Sequence, residues 1–273
     1  MIKINSPDFN ISQISDSGQC FRMFDEGDNR WRIFSMNNML EIQKISEHEY
    51  IFECSEEEYE KIWFEYFDMR TDYSAIKTHI RTFEDPFLNS AIDYGYGIRI
   101  LKQDLWETIV TFIISQQNNI PRIKKIIFAL CEANNSKFPT PEDLKNYTEK
   151  DFENLGFGYR AEYMTKIVTE TLSGRLDLKK LKTFNYEESI KFLKTFRGIG
   201  EKVANCIALY GLHHLPAFPV DVWIKRTINT RYDGNFALQK SSPFAGIIQQ
   251  YMFFYERNLK KNIIHHNSGT ILG

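Results

Sequence analysis

Phe196-Arg197-Gly198-Ile199-Gly200-Glu201-Lys202-Val203-Ala204 is the stretch on which the reading of this chain turns. An apolar helix ends at Phe196, a Gly-x-Gly turn follows, and a second helix opens near Glu201. Two glycines let the backbone fold tightly, so amide N–H groups at the new helix start can approach an anion such as a backbone phosphate. The pattern predicts a helix–hairpin–helix with Gly198 and Gly200 at the phosphate. Carbonyls of such a turn could also hold a structural cation, monovalent or divalent, with Lys194, Phe196 and Ile199 as donors. By itself, glycine between two helices is equally the mark of an ordinary C-cap.

Lys202 falls at the opening of the second helix. The positive helix end disfavours a protonated amine there, and an amine must be neutral to attack carbon. A solvated lysine is the plainer alternative. Nineteen residues later, Phe218-Pro219-Val220-Asp221-Val222-Trp223 places Asp221 just before another apolar-periodic helix, where it would serve as N-cap. Capping and catalysis are compatible. An amine, a carboxylate and a phosphate-gripping turn close together in sequence form a coherent set for cleaving a nucleoside bond.

Outward from this segment, the N-terminal residues read as antiparallel strands: Cys20–Phe24, Trp31–Met36, Met39–Ser46 and Tyr50–Cys54, with a turn at Asp25-Glu26-Gly27-Asp28. Ser55 and Glu58 read as a capping box opening a helix whose buried stripe holds Tyr59, Ile62, Trp63 and Tyr66. Beyond residue 73 the pattern is helical, over Leu105–Ser115, Ile120–Ala133, Tyr159–Leu172, Glu187–Phe196, Val203–Leu212, Asp221–Arg231 and Pro243–Leu259. Thr140-Pro141 reads as one more helix start. The expected fold class is α+β, a small antiparallel sheet domain (1–98) packed on an all-α region (99–260), with 261–273 as an aperiodic tail.

The 273 residues are 42% hydrophobic and 26% charged, ordinary for a globular protein. No apolar run approaches the roughly 18 residues of a membrane span. The N-terminus lacks the apolar core of a secretion signal, so a cytosolic location is expected, on the nucleoid if the source is prokaryotic. The net charge of −2 hides an asymmetry: residues 1–100 carry 10 Lys+Arg against 19 Asp+Glu, and the remainder 24 against 17. A basic second part suits a polyanionic partner. Cys20, Cys54, Cys131 and Cys206 are too far apart for a CxxC pair, so they read as free thiols, with no iron–sulfur cluster signalled.

The stretch from Gly198 to Trp223 resembles the helix–hairpin–helix Gly/Pro…Asp superfamily of DNA glycosylases, in detail its 8-oxoguanine DNA glycosylase branch. Four further segments carry the resemblance across nearly the whole chain. Ser17-Gly18-Gln19-Cys20-Phe21-Arg22 is similar to the N-terminal sheet motif, and Ser115-Gln116-Gln117-Asn118-Asn119-Ile120-Pro121-Arg122-Ile123 to the asparagine-rich loop. Leu155-Gly156-Phe157-Gly158-Tyr159-Arg160-Ala161 resembles the wedge, and Ala245–Phe253 the last pocket helix.

The resemblance implies Lys202 as Schiff-base nucleophile and Asp221 as its partner carboxylate. It implies a damaged-base pocket of Gly18, Cys206, Pro219, Gln249 and Phe253, in which Phe253 and Cys206 sandwich the base and Gln249 reads its Watson–Crick edge. The Gly18 carbonyl would accept the N7–H that 8-oxoguanine has and guanine lacks. Tyr159 would wedge into the stack, Gln117, Arg122 and Arg160 would meet the orphaned base, and Trp223 would contact phosphate. The chain departs from better-known eukaryotic members at Trp223 (histidine there), Gln116-Gln117 (Ser-Asn) and Arg197 (proline). The implied partner is double-stranded DNA carrying 8-oxoguanine opposite cytosine, bound by a monomer without redox cofactor or catalytic metal. Two alternatives stand beside this: a glycosylase of the superfamily acting on another damaged base, and a non-catalytic DNA-binding module.

Overall fold

The computed structural model describes residues 1–237 and 241–268, with side chains through residue 259. Five antiparallel strands form one sheet: β1 (Ile2–Asn5), β2 (Met23–Gly27), β3 (Arg30–Ser35), β4 (Asn38–Lys44) and β5 (Glu49–Phe52), in the order β1-β5-β4-β3-β2. Alternate residues Trp31 and Ile33, Leu40 and Ile42, and Tyr50 and Phe52 turn to one buried face. There they pack with Phe9, Trp63, Tyr66, Phe67 and Leu101. A second and larger core belongs to the helices, from Tyr73 to the buried residues of the last helix.

The sheet is larger than the sequence reading makes it. β1 escapes that reading because only Ile4 among its four residues is buried, leaving no period to see. The β2–β3 turn sits at Asp28-Asn29, both at positive φ, two residues beyond the expected turn, in the geometry a two-residue hairpin favours. Cys20–Phe24 is strand only from Met23. The preceding residues are a loop; the Arg22 carbonyl still accepts from the Phe34 amide of β3 at 2.9 Å, and side chains of the loop tie the sheet to the segment before Leu105–Ile114 and to that helix. Gln19 donates to the Arg99 carbonyl and accepts from the Leu101 amide. Arg22 pairs with Glu107 at 3.0 Å, both buried.

Ser55 caps its helix, accepting from the Glu58 amide. The Glu58 carboxylate does not close a capping box; it accepts from the Trp63 indole at 2.8 Å, across a helix that widens to a π-turn over Tyr59–Trp63. Thr140 and Asp143 cap one another, but only a turn follows. The chain starts afresh at Thr148, where a full capping box opens Glu149–Asn154. The last helix, Ala245–Ser268, runs into the stretch expected to be an aperiodic tail; residues 269–273 of that tail lie outside the described residues. Leu105–Ile114, Ile120–Glu132, Arg160–Leu172, Glu201–Tyr210 and Val222–Arg231 lie within a few residues of expectation, whereas the short helices Ile11–Asp16 and Leu178–Leu181 fall where the sequence reading places none.

Candidate active site

The Glu201–Tyr210 helix begins at Gly200, whose extended backbone caps it without a side chain, so the first amides keep their donors. Gly198 holds φ +89°, and a Cβ there would lie 2.5 Å from the Tyr163 ring. Conformation and space both demand glycine. The Ile199 amide closes the hairpin on the Phe196 carbonyl at 3.1 Å. That bond leaves the carbonyl a second lone pair.

Lys202 extends from this helix to within 3.4 Å of Ser115 Oγ, with Nζ 5.2 Å from the Phe112 ring centroid. Ser115 gives its own proton to the Phe112 carbonyl and so presents lone pairs to the amine. Asp221 is delivered from the next segment. The Phe218 amide donates to Asn205 Oδ1 at 3.1 Å, and Asn205 is itself bonded by Tyr186 and anchored on the Glu201 carbonyl. Asn205, which sequence reasoning passed over, therefore ties the irregular segment before Asp221 to the helix that carries Lys202. Nothing in the local sequence marks a mid-helix asparagine for that task.

Asp221 caps the Val222–Arg231 helix as expected, accepting from the Trp223 and Ile224 amides at 3.0 and 2.9 Å. Burial lifts its carboxyl above the ordinary aspartate value, against the Ile224 amide, the Lys202 charge and the Trp223 amide, which pull it down. Burial likewise lifts the Cys206 thiol, one turn beyond Lys202, against the pull of the Lys202 charge.

Lys202 and Asp221 open into one cleft of about 1190 Å³, lined also by Gly18, Cys206, Pro219, Gln249 and Phe253, and by Gln117, Gly200 and Trp223. Gly18, at φ +77°, packs so closely on Phe253 that a Cβ would stand 3.0 Å from the ring. Its loop is pinned by the last helix: Gln250 donates to the Ser17 carbonyl at 2.6 Å, and Tyr210 donates to Gln250 at 2.5 Å. Gln249 is buried, and its Oε1 has no hydrogen-bond partner among the described residues.

Arg122, Tyr159, Arg160 and Gly198 stand outside the lining of this cleft. Tyr159 is exposed, and edge-on to Tyr163 at 5.9 Å, so wedge and hairpin share one support. Arg160 is 2% exposed. Its guanidinium stacks on the Tyr159 ring and donates to the Gln116, Gln117 and Phe157 carbonyls. The sequence reading sends this side chain to the orphaned base; in the structure it braces the loop that carries Gln117. Among the described residues, no group of three or more His, Cys, Asp and Glu side chains could hold a metal ion, and no helix is long and apolar enough to cross a membrane.

A lysine and a half-buried carboxylate sharing a cleft beside a helix–hairpin–helix define a class, the base-excision DNA glycosylases. Residues 110–235 match the HhH-GPD superfamily of base excision DNA repair proteins, and residues 1–109 match the N-terminal domain of 8-oxoguanine DNA glycosylase. The chain belongs to this superfamily, in its 8-oxoguanine DNA glycosylase branch. The Clostridium acetobutylicum 8-oxoguanine glycosylase/lyase in its apo form is 37% identical over 92% of this chain and 94% of its own, with a TM-score of 0.84. The same enzyme in complex with double-stranded DNA containing cytosine opposite 8-oxoG gives 36% identity, 93% of each chain and a TM-score of 0.86. The Saccharomyces cerevisiae N-glycosylase/DNA lyase is 28% identical over 85% of this chain and 70% of its own length.

Proposed function

We propose that this chain excises 8-oxoguanine from duplex DNA and then nicks the strand. The observation that carries the reading is the convergence of Lys202 and Asp221 on one cleft. The neutral Lys202 amine attacks C1′ of the everted nucleotide and the base departs with the electrons of the glycosidic bond, taking up a proton. Asp221 stabilises the cationic sugar and handles the amine's protons. The C1′–O4′ bond then breaks, the ring oxygen leaving as the 4′-hydroxyl with a proton relayed from the amine, and C1′ and Lys202 are joined as an imine. The imine acidifies the C2′ proton, and its loss expels the 3′ phosphate by β-elimination.

Gln249 meets the Watson–Crick edge, Gly18 accepts N7–H, and Phe253 and Cys206 hold the base's two faces. Pro219 completes the pocket wall. Tyr159 fills the vacated stack, while Gln117, on a loop braced by Arg160, and Arg122, in the first turn of the Ile120–Glu132 helix, face the orphaned base. Cytosine is the proposed partner base, in line with the DNA held by the clostridial relative. Gly198, Gly200 and Trp223 hold phosphate, and the Lys194, Phe196 and Ile199 carbonyls suit a structural cation. The chemistry itself asks for no redox cofactor. A monomer acting on cytosolic or nucleoid DNA completes the reading.

Borohydride reduction of the reacting complex tests it. The wild type is expected to cross-link to an 8-oxoguanine duplex. Lys202→Gln is expected to give no cross-link and base release at least about 10³-fold slower. A cross-link that survived in Lys202→Gln would remove the lysine from the mechanism.

A further inference from the structure

Arg257 follows Phe253 by four residues on the last helix and so shares its face. One end of its guanidinium is committed: Nη2 pairs with Asp16 at 2.7 Å and also donates to the Asp16 carbonyl. The other two nitrogens, Nε and Nη1, are buried and have no hydrogen-bond partner among the described residues, in a residue only 6% exposed. Buried charged donors without acceptors are costly, and natural structures keep few of them.

These two stand at the recognition end of the cleft. Arg257 lines it. Nη1 is 3.6 Å from the position a Gly18 Cβ would take, and the guanidinium carbon is 5.4 Å from the Phe253 ring centroid. Gln249 lies two turns earlier on the same helix, roughly 12 Å along the axis. Gln249 and Arg257 thus bracket Phe253, and a base whose Watson–Crick edge faces Gln249 turns its five-membered ring toward Gly18 and Arg257. That ring of 8-oxoguanine offers a donor, N7–H, next to an acceptor, the C8 oxygen. Guanine offers an acceptor and a C–H at the same two atoms.

We propose that Arg257 is a specificity-determining residue that donates from its unpartnered nitrogens to the C8 oxygen of the everted base. Held in place by Asp16, it sets a protein donor beside the Gly18 carbonyl, and the two complement the lesion's acceptor and donor. Guanine fails at both atoms. Because the Phe253 ring edge packs on Gly18, entry of that edge of the base displaces the ring and uncovers the waiting N–H groups. The inference rests on reading the cleft as an 8-oxoguanine site, and adds to it a reader of the oxygen itself.

The test uses the full chain, its Arg257→Met and Arg257→Lys variants, and three duplexes carrying 8-oxoguanine, 8-thioguanine or a preformed abasic site. 8-Thioguanine keeps N7–H for Gly18 but replaces the oxygen with a weak acceptor. Single-turnover base release from 8-oxoguanine is expected to fall about 10- to 100-fold in both variants, the size of a lost charge-assisted bond in a desolvated site. The wild-type preference for the oxo over the thio base should collapse with it. Borohydride trapping on the abasic duplex, where no base is read, should stay within about twofold of wild type, which also reports an intact fold. Arg257→Lys can still pair with Asp16, so it separates the pin from the reader. Equal losses on both bases, a parallel loss on the abasic duplex, or unchanged release would each overturn the proposal. A wild type that trapped on abasic DNA yet released no 8-oxoguanine would instead sink the substrate reading beneath it.

Discussion

Buried polarity is handled in opposite ways at the joint between sheet and helices and in the cleft. At the joint, Asp68 accepts from Thr71, Tyr73 and Lys102 at 2.9, 3.1 and 2.9 Å and faces His213 Nε2 at 3.3 Å. Arg99 donates to the carbonyls of Asp8, Phe67, Asp68 and Thr71. Arg22 and Glu107 share a buried bond and both engage the Met36 backbone; among the described residues, His213 Nδ1 and Tyr251 Oη, the latter near Asp8 and Arg99, are left over in this region. In the cleft, Gln249 Oε1 and two Arg257 nitrogens are buried with no partner among the described residues. An unmade buried hydrogen bond costs about 1–3 kcal/mol. The joint keeps that cost off its charged groups and holds two cores together; the cleft accepts it on an amide and a guanidinium and keeps bonding capacity for a ligand.

The contrast predicts that substitutions at the joint strike stability and substitutions in the cleft strike function. The largest effect is expected from Arg22→Met. It leaves Glu107 buried without its cation, a carboxyl that burial already raises against the pull of Arg22. Urea unfolding should show a loss of about 3–5 kcal/mol. A loss under about 1 kcal/mol would mean that the joint is no better built than the surface.

Asp68→Asn comes next. Burial pushes the Asp68 carboxyl up, but the bond and charge of His213, with Lys102 and Thr71, hold it down at about 2, against 3.8 for an ordinary aspartate. A depressed carboxyl stabilises the fold above the unfolded value and loses that stabilisation as pH falls through the folded one. The wild type should therefore lose about 2 kcal/mol between pH 4 and pH 2 that the Asn variant never had. Parallel stability curves for the two proteins over that window would remove Asp68 from the joint.

Much of this was legible in the sequence, for identifiable reasons. Gly198 announces the hairpin because a turn with a positive φ and no room for a Cβ admits little else. Asp221 announces a cap because it precedes an apolar-periodic helix. Lys202, Asp221, Gly18, Gln249 and Phe253 come together at one cleft, as their motifs imply. What stayed hidden depends on partners far along the chain. Asn205 looks like a mid-helix polar residue until Phe218 folds onto it, and Arg257 like a surface cation until Asp16 is placed beside it. Arg160 reads as a free hand for DNA, and only the position of the Gln116 carbonyl shows that hand already occupied. Periodicity reports which face is buried, not which distant carbonyl waits there.

The smallest expected change in stability is the most discriminating. Gln249→Leu replaces an amide with an apolar group of similar reach at a site where Oε1 now bonds to nothing. If that oxygen is kept for the base, its removal should leave the unfolding free energy unchanged or raise it by up to about 1 kcal/mol. Release of 8-oxoguanine should nevertheless fall about 10- to 100-fold, since a site shaped to bond a polar edge then meets it with hydrocarbon. Trapping on abasic DNA should be untouched. Were Gln249→Leu instead to cost more than about 1 kcal/mol in urea, Gln249 would be a structural residue like those of the joint. The difference between the two regions would then be one of bookkeeping alone.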